Sequence, residues 1–397
     1  MLSGIANGTS RFTNFSTGED CASTLACVRA LGCEVRHHNG VVEVVGRGRR
    51  LSEPRGPLDC GNSGSTMRML AGILAGQSFS CEMVGDESLS RRPMKRVIEP
   101  LTGMGADISS SDGKPPLRIR GQKLHAIDYK LPVASAQVKS SILLAGLYAD
   151  AETAVEEPVA TRDHTEIALR AFGATITKLR NRITIRGGQE LNAIEAEVPG
   201  DISSAAFFLC AAALFPQSNI VIDGLGLNPT RAVLLDVLTS MGARTRVLQL
   251  EERNGELIGM VTLNASELKG TEISGAVTAA VIDEIPVLAA IAPYTSDGVT
   301  IRDAQELRVK ESDRLAVVAE NLRAMGAKIE EHQDGLTIPG RQQLRGAEIH
   351  SHGDHRIAMA FAVAGLRAQG ETRIFGADCA RISFPEYFHL LQQLTAE

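Results

Sequence analysis

The side chains able to do chemistry gather in short stretches, and the densest lie in the second half of the chain. Ile282-Asp283-Glu284-Ile285-Pro286 sets two carboxylates between apolar residues, where partial desolvation would suit one of them to act as a base. Asp283 is the first candidate, against the plain alternative of an exposed loop acid. Arg308-Val309-Lys310-Glu311-Ser312-Asp313-Arg314 collects cations and carboxylates just before Leu315, Val318, Leu322 and Met325, an apolar stripe at helical spacing. His352-Gly353-Asp354-His355-Arg356 gathers charge in the same way before Ile357, Ala360, Phe361 and Ala364. Arginine suits phosphates and carboxylates because its planar fork binds two oxygens at once. Solvated or intrahelical ion pairs are the alternative for both stretches.

The first half offers anion-binding groups at helix starts. Gly61-Asn62-Ser63-Gly64-Ser65-Thr66-Met67-Arg68 turns through two glycines into an apolar helix, which would present backbone N–H groups and a positive dipole end to an anion. No Lys-Ser/Thr follows the second glycine, so it is not a Walker loop. Ser88 to Arg96 packs Arg91, Arg92, Lys95 and Arg96 around Pro93. Ser135-Ala136-Gln137-Val138-Lys139 places a hydroxyl, an amide and an ammonium at another helix start, and Thr161-Arg162-Asp163-His164-Thr165-Glu166 opens a further one. In the last, Asp163 and Glu166 have the spacing of a capping box. Simple N-capping competes with binding in each of these stretches.

The elements that must position these groups are written several times over. VRALGCEV, LTGMGADI, LRAFGATI, LTSMGART and LRAMGAKI place glycines at Gly32, Gly105, Gly173, Gly242 and Gly326, a repeat of roughly 70 residues. Each reads as an apolar helix stopped by a left-handed glycine, and after four of them come two short strands around Asn, Asp or Gly turns. Pro199-Gly200 interrupts the pattern, so lobes of residues 1–199 and 200–397 are expected, with three repeats in the first and two complete repeats plus a partial one in the second. The chain reads as opening inside a helix at MLSGIANG and closing on a helix at FPEYFHLLQQL. Helix starts recurring in a repeated fold can bring their cations to one cleft, which would hold a small, multiply anionic substrate pair.

Composition narrows the classes. Lys plus Arg is 41 and Asp plus Glu is 47, a net charge of −6 that repels nucleic acid and anionic membranes at long range. The longest apolar stretch, Ala205 to Phe215, is far below the ~20 residues of a membrane span. The N-terminus has no signal-peptide pattern, and the seven cysteines form no CxxC pair, so a cytoplasmic protein with free thiols is expected. No His/Cys/carboxylate set has metal-ligand spacing, and neither metal nor cofactor is expected.

Read together, GNSGSTMRML, ESLSRRPM, SAQVKSSILLAGL, TRDHTE, VPGDISSAAFFL, IDEIPVLA, LRVKESDRL and HGDHRIAMAFA resemble the ordered motifs of the 5-enolpyruvylshikimate-3-phosphate synthases, in their class II form. The resemblance covers nearly the whole chain. It implies a two-domain inside-out α/β barrel of six repeated units, the sixth incomplete here, acting without a cofactor on shikimate 3-phosphate and phosphoenolpyruvate as a monomer. It places Gly64, Arg92, Gln137, Arg314 and Arg356 on phosphoenolpyruvate, and Ser135, Gln137, Thr161, Arg162, Asp283 and Lys310 on shikimate 3-phosphate. Asp283 would take the proton of the attacking hydroxyl, and Glu311 would transfer a proton at the enolpyruvyl methylene.

Two departures stand out. The family's first motif, which carries a lysine, would fall just before Met1, so a shortened chain that binds shikimate 3-phosphate with weak or no turnover is an alternative. Ile382, beside Arg381, stands where part of the family has lysine. Two rivals rank lower. A transferase acting on UDP-N-acetylglucosamine would use a loop cysteine, whereas Cys81 lies in a strand-like stretch. An RNA-end-processing relative conflicts with the net charge and the 4% aromatic content.

Overall fold

All five repeated glycines end helices, with φ between +85° and +97°, a backbone region that costs glycine little. The helices they close are Glu19–Ala30, Lys95–Gly103, His164–Ala171, Val233–Ser240 and Arg314–Ala324. In each case the next residue donates its N–H to the carbonyl five residues back, as a left-handed C-terminal turn requires. The bonds run from Cys33 to Val28 at 3.2 Å, Ala106 to Leu101 at 3.0 Å, Ala174 to Leu169 at 2.8 Å, Ala243 to Leu238 at 2.9 Å and Ala327 to Leu322 at 2.9 Å. The apolar stripe read after residues 308–314 is buried, with Leu315, Leu322 and Met325 at 0% exposure.

The computed structural model describes residues 1–264 and 266–395. The chain divides into two compact units, Met1–Val198 with Arg253–Gly255 and Pro199–Glu252 with Glu256–Glu397. Four of the sheets have four strands in one shared topology: a parallel pair, the second strand of which is continued by an antiparallel hairpin. In one, Leu58–Asp59 runs parallel to Ser80–Val84, which pairs antiparallel with Lys114–Arg120 and through it with Asp107–Ser111. Asp128–Lys130 with Glu152–Glu156 and Thr271–Ile273 with Val299–Ile301 are the parallel pairs of two others. A fourth pairs Glu195–Glu197 with Thr9–Thr13 and so joins the two ends of the first unit.

This topology decides where the chemistry sits. A parallel pair needs a crossover helix, so both strands end at the same edge of the sheet. The start of the crossover helix and the turn after the second strand are therefore neighbours. Asp59 pairs with Val84, Lys130 with Glu156 and Ile273 with Ile301, and the functional stretches follow those residues. The same relation holds for Glu348–His350 beside Arg373–Phe375, and for the isolated parallel bridge between Gly200 and Leu225.

The helices fill the interior. Gly64–Ala75 and Ala136–Gly146 cross in the core of the first unit, and Ile202–Ala213, Ile285–Ile291 and His355–Gly365 form that of the second. Some expectations need correction. The opening segment is a single 3-10 turn, Leu2–Ile5, leading into the two-residue strand Ala6–Asn7. Gly242 is also followed by a hairpin, Arg244–Arg253 and Glu256–Asn264, whose strands are too long and too charged to match the shorter repeats. The α/β class is as expected, with the helices inside each unit and the sheets as separate pieces of two to four strands.

The crossing of the two first-unit helices depends on a missing side chain. A Cβ on Gly72 would lie 2.1 Å from the carbonyl oxygen of Ser141. Gly72→Ala is expected to destabilise the chain by about 3 kcal/mol, the upper end for overpacking a core. Gly103→Ala, where a Cβ meets nothing within 4 Å, should cost nothing measurable. Denaturant unfolding of both variants checks this, and equal midpoints would refute it.

Candidate active site

In the first unit, Ser63 caps Gly64–Ala75 by accepting the Thr66 N–H at 3.2 Å, which leaves Gly64 buried in the first turn. Two guanidinium groups converge there. A Cβ on Gly64 would meet Nη1 of Arg68 at 3.0 Å and Nη1 of Arg92 at 3.2 Å. Arg92 is held by Asn62 Oδ1 at 2.6 Å and Ser88 Oγ at 3.2 Å, and Asn62 donates to Asp86 at 2.7 Å across the two strand ends. Arg68 donates to Gln137 Oε1 at 2.7 Å, and Gln137 donates to Ser65 at 2.7 Å. Gly64, Arg92 and Gln137 thus form one cluster at a helix N-terminus, an arrangement suited to an anion. Arg68 was not singled out from the sequence, although its place one turn beyond Gly64 puts it on the same face.

Ser135, Thr161 and Arg162 arise at the edge of the neighbouring sheet. Ser135 caps Ala136–Gly146, accepting from the Val138 N–H at 3.4 Å. The capping box expected of Asp163 and Glu166 does not form. Asp163 makes no side-chain cap bond, and Glu166 turns inward to Lys139 at 2.7 Å. A buried ammonium competes for that carboxylate more strongly than an exposed amide does.

In the second unit the predicted residues Asp283, Lys310, Glu311, Arg314 and Arg356 come together. Asp283 Oδ1 lies 3.8 Å from both Lys310 Nζ and Arg314 Nη1. Arg356 donates through Nη1 to the Asp283 carbonyl and to Ser203 Oγ, each at 2.8 Å. Arg314, 1% exposed, makes a bidentate pair with Asp354 at 2.8 and 3.1 Å and touches Glu311 at 2.6 Å. Burial pushes the Lys310 ammonium below its ordinary range, and Asp283 partly offsets this.

These cations are matched rather than bare. Arg231 reaches Asp283 Oδ2 at 3.5 Å, Asp201 at 3.4 Å and Glu284 at 3.9 Å, and its own pKa is raised by those carboxylates against the opposing effect of burial. Ser203 also donates to Glu284. Asp201, Arg231, Glu284 and Asp354 were missed as site residues. Asp201 caps Ile202–Ala213 and Arg231 follows Asn219–Gly226, so the repeat pattern applied to Val198-Pro199-Gly200-Asp201 and Asn228-Pro229-Thr230-Arg231 is the signal that locates them.

Two other sequence features are resolved by burial. Cys81 is half-buried in its strand, and burial pushes its thiol up to about 12, which leaves no thiolate to act as a nucleophile. His355, 6% exposed between Asp354 and Arg356, is pushed down to about 4, chiefly by burial, and is neutral at pH 7. The unfolded imidazole takes its proton near 6.5, so between pH 6.5 and 4 the unfolded chain binds more protons and stability falls as the pH falls. Relative to His355→Gln, the wild-type chain should lose about 3 kcal/mol of its advantage over that range, from the 1.4 kcal/mol per pKa unit. Urea unfolding at pH 7 and pH 4 tests this, and an unchanged difference would sink it.

Known proteins share this sequence and fold. The family model described as EPSP synthase (3-phosphoshikimate 1-carboxyvinyltransferase) matches residues 1–391. A 3-phosphoshikimate 1-carboxyvinyltransferase of Koribacter versatilis (strain Ellin345) is 62% identical, over 99% of this chain and 92% of its own. Another, from Solibacter usitatus (strain Ellin6076), is 57% identical, over 99% of this chain and 93% of its own. A solved EPSP synthase from Acinetobacter baumannii superposes with a TM-score of 0.87 at 42% identity, over 99% of this chain and 92% of that one. The expectation of a member set apart by a missing first motif is not borne out: the family model covers nearly the whole chain, and the chain covers 92% of the Koribacter versatilis relative. By sequence and by fold, the chain belongs to the EPSP synthase (3-phosphoshikimate 1-carboxyvinyltransferase) family.

Proposed function

We propose that this chain transfers the enolpyruvyl group of phosphoenolpyruvate to the 5-hydroxyl of shikimate 3-phosphate and releases phosphate, a step of the shikimate pathway leading to chorismate and the aromatic amino acids. One observation above all supports the reading. In the second unit, a carboxylate able to act as a base, Asp283, has Lys310 and Arg314 at 3.8 Å, and a second carboxylate, Glu311, lies against Arg314. The chemistry calls for that set: a base at oxygen, an acid at carbon, and fixed cations for phosphate and carboxylate charge.

The roles proposed are those the family resemblance implies. Shikimate 3-phosphate is assigned to Ser135, Gln137, Arg162, Asp283 and Lys310, with Thr161 in the turn that carries Arg162. Phosphoenolpyruvate is assigned to Gly64, Arg92, Gln137, Arg314 and Arg356. A guanidinium carries five N–H donors, so one that is anchored through some of them keeps others for an anion. Asp283 takes the proton of the 5-hydroxyl as its oxygen bonds to C2 of phosphoenolpyruvate, while Glu311 gives a proton to the C3 methylene. The tetrahedral adduct then loses a methyl proton back to Glu311 as the C2–O bond to phosphate breaks, and the departing phosphate takes up the proton held by Asp283, so both carboxyl groups return to their starting states. Anchoring matters as much as charge here. Arg356 holds the Asp283 carbonyl, and Arg231 approaches the other carboxylate oxygen, so Asp283 cannot swing away from its target. The reading takes the chain as a cytoplasmic monomer whose ligands are these two small molecules, without nucleic acid, membrane or cofactor.

Phosphate release by the purified chain, measured with both substrates and with each alone, is the direct test. Release should require both. Its absence under all conditions would end the proposal. Asp283→Asn and Glu311→Gln should each lower kcat by about 10²- to 10⁴-fold, the usual worth of a positioned acid or base. A variant within threefold of wild type would remove that residue from its role.

A further inference from the structure

Three charges with no solvent contact join the helix that begins at Ser135 to the turn at Thr161 and Arg162. Lys139 is on the helix that begins at Ser135, and its ammonium lies 3.2 Å from Glu157 and 2.7 Å from Glu166, all three side chains being 0% exposed. Burying an ammonium between two carboxylates is costly, and burial raises the pKa of Glu166 despite Lys139. Such a network adds little stability, but it holds its members in a single arrangement.

That arrangement includes the loop that carries Arg162. Glu157 Oε1 accepts the Thr161 N–H at 3.2 Å and also the Thr161 hydroxyl proton. Thr161 has only these two protons to donate, and both go to Glu157. It therefore has none for a phosphate oxygen, and its hydroxyl could only accept. Lys139 is equally cut off from any ligand. Arg162, the next residue, is a side chain of this turn with donors suited to phosphate.

Resting on the site assignment above, we infer that Glu157, neutralised by Lys139, is a positioning residue. It latches Thr161 and so fixes the turn that presents Arg162 to the phosphate of shikimate 3-phosphate, and Thr161 acts through this latch rather than as a ligand. The charge on Glu157 is what the latch needs, because its Oε1 accepts both Thr161 donors while the Lys139 ammonium at 3.2 Å compensates the charge. The strand-end topology supplies the rest: the turn follows Glu156, which pairs with Lys130, and so stays beside the helix start at Ser135.

Steady-state kinetics of the full chain, with a thermal melt of each variant, test the inference. Thr161→Val keeps the shape and removes the hydroxyl bond. It should raise KM for shikimate 3-phosphate about tenfold while moving kcat and KM for phosphoenolpyruvate by less than threefold, and Thr161→Ser should restore the wild-type value. Arg162→Ala should raise the same KM, and adding Thr161→Val to it should have no further effect, because Thr161 is held to act through Arg162. Glu157→Gln, if it melts near wild type, should resemble Thr161→Val. Additive effects of Thr161→Val and Arg162→Ala would make Thr161 a ligand in its own right and overturn the inference, as would equal increases in both KM values. A wild-type chain that neither binds shikimate 3-phosphate nor turns over would instead overturn the site assignment, and this inference with it.

Discussion

Arg314 carries a permanent charge to a position that is 1% exposed, and only carboxylates can compensate it there. Asp354 does most of this work. It forms the bidentate pair with Arg314, accepts the Ser312 hydroxyl at 2.9 Å, and caps the next helix through the Arg356 N–H at 3.0 Å. One buried carboxylate thereby binds the beginnings of Arg314–Ala324 and His355–Gly365 to each other. The place of Glu311, of Asp283 and of the Arg356 guanidinium all depend on that junction. A lysine could not replace Arg314, because a point charge cannot span Asp354, Glu311 and Asp283 together.

The two units solve the same electrostatic problem differently. In the second, the cations Arg231, Lys310, Arg314 and Arg356 are interleaved with Asp201, Asp283, Glu284, Glu311 and Asp354, so each functional side chain is braced by one of opposite sign. The carboxylates proposed for proton transfer are thereby part of the scaffold. In the first unit, Arg68 donates to Gln137, and Arg92 to Asn62 and Ser88, beside a helix N-terminus whose dipole has the same sign. The first unit also seals a charge cluster beneath its surface, Lys139 with Glu157 and Glu166.

Topology makes these clusters possible. A parallel pair followed by a hairpin delivers two chain segments to one edge of each small sheet, and each repeat adds a helix N-terminus there. The hairpins at the other side of each unit carry much of the solvent exposure, as in Glu34–His38 and Glu330–His332. Binding and catalytic groups on rigid helix starts lose less entropy on binding than the same groups on long loops would.

Much of this was legible in the residues. The five glycines and the apolar residues before them determine five helix ends, because left-handed backbone and helical periodicity are local properties. Asp283, Lys310, Glu311, Arg314 and Arg356 could be singled out because charge next to an apolar stripe is conspicuous in one dimension. Glu166 was misread for the same reason: its spacing from Asp163 satisfies a local rule, whereas its partner Lys139 is distant in sequence. Arg68 in the first unit and Asp201, Arg231 and Asp354 in the second lie in motifs that look like ordinary caps and turns until folding brings each to the charged cluster of its own unit. The sequence by itself determined which segments become helices, where they stop and which residues carry charge. Only the tertiary structure decided which charge meets which, because the energy of an ion pair depends on distance and burial, and neither is written in the order of residues.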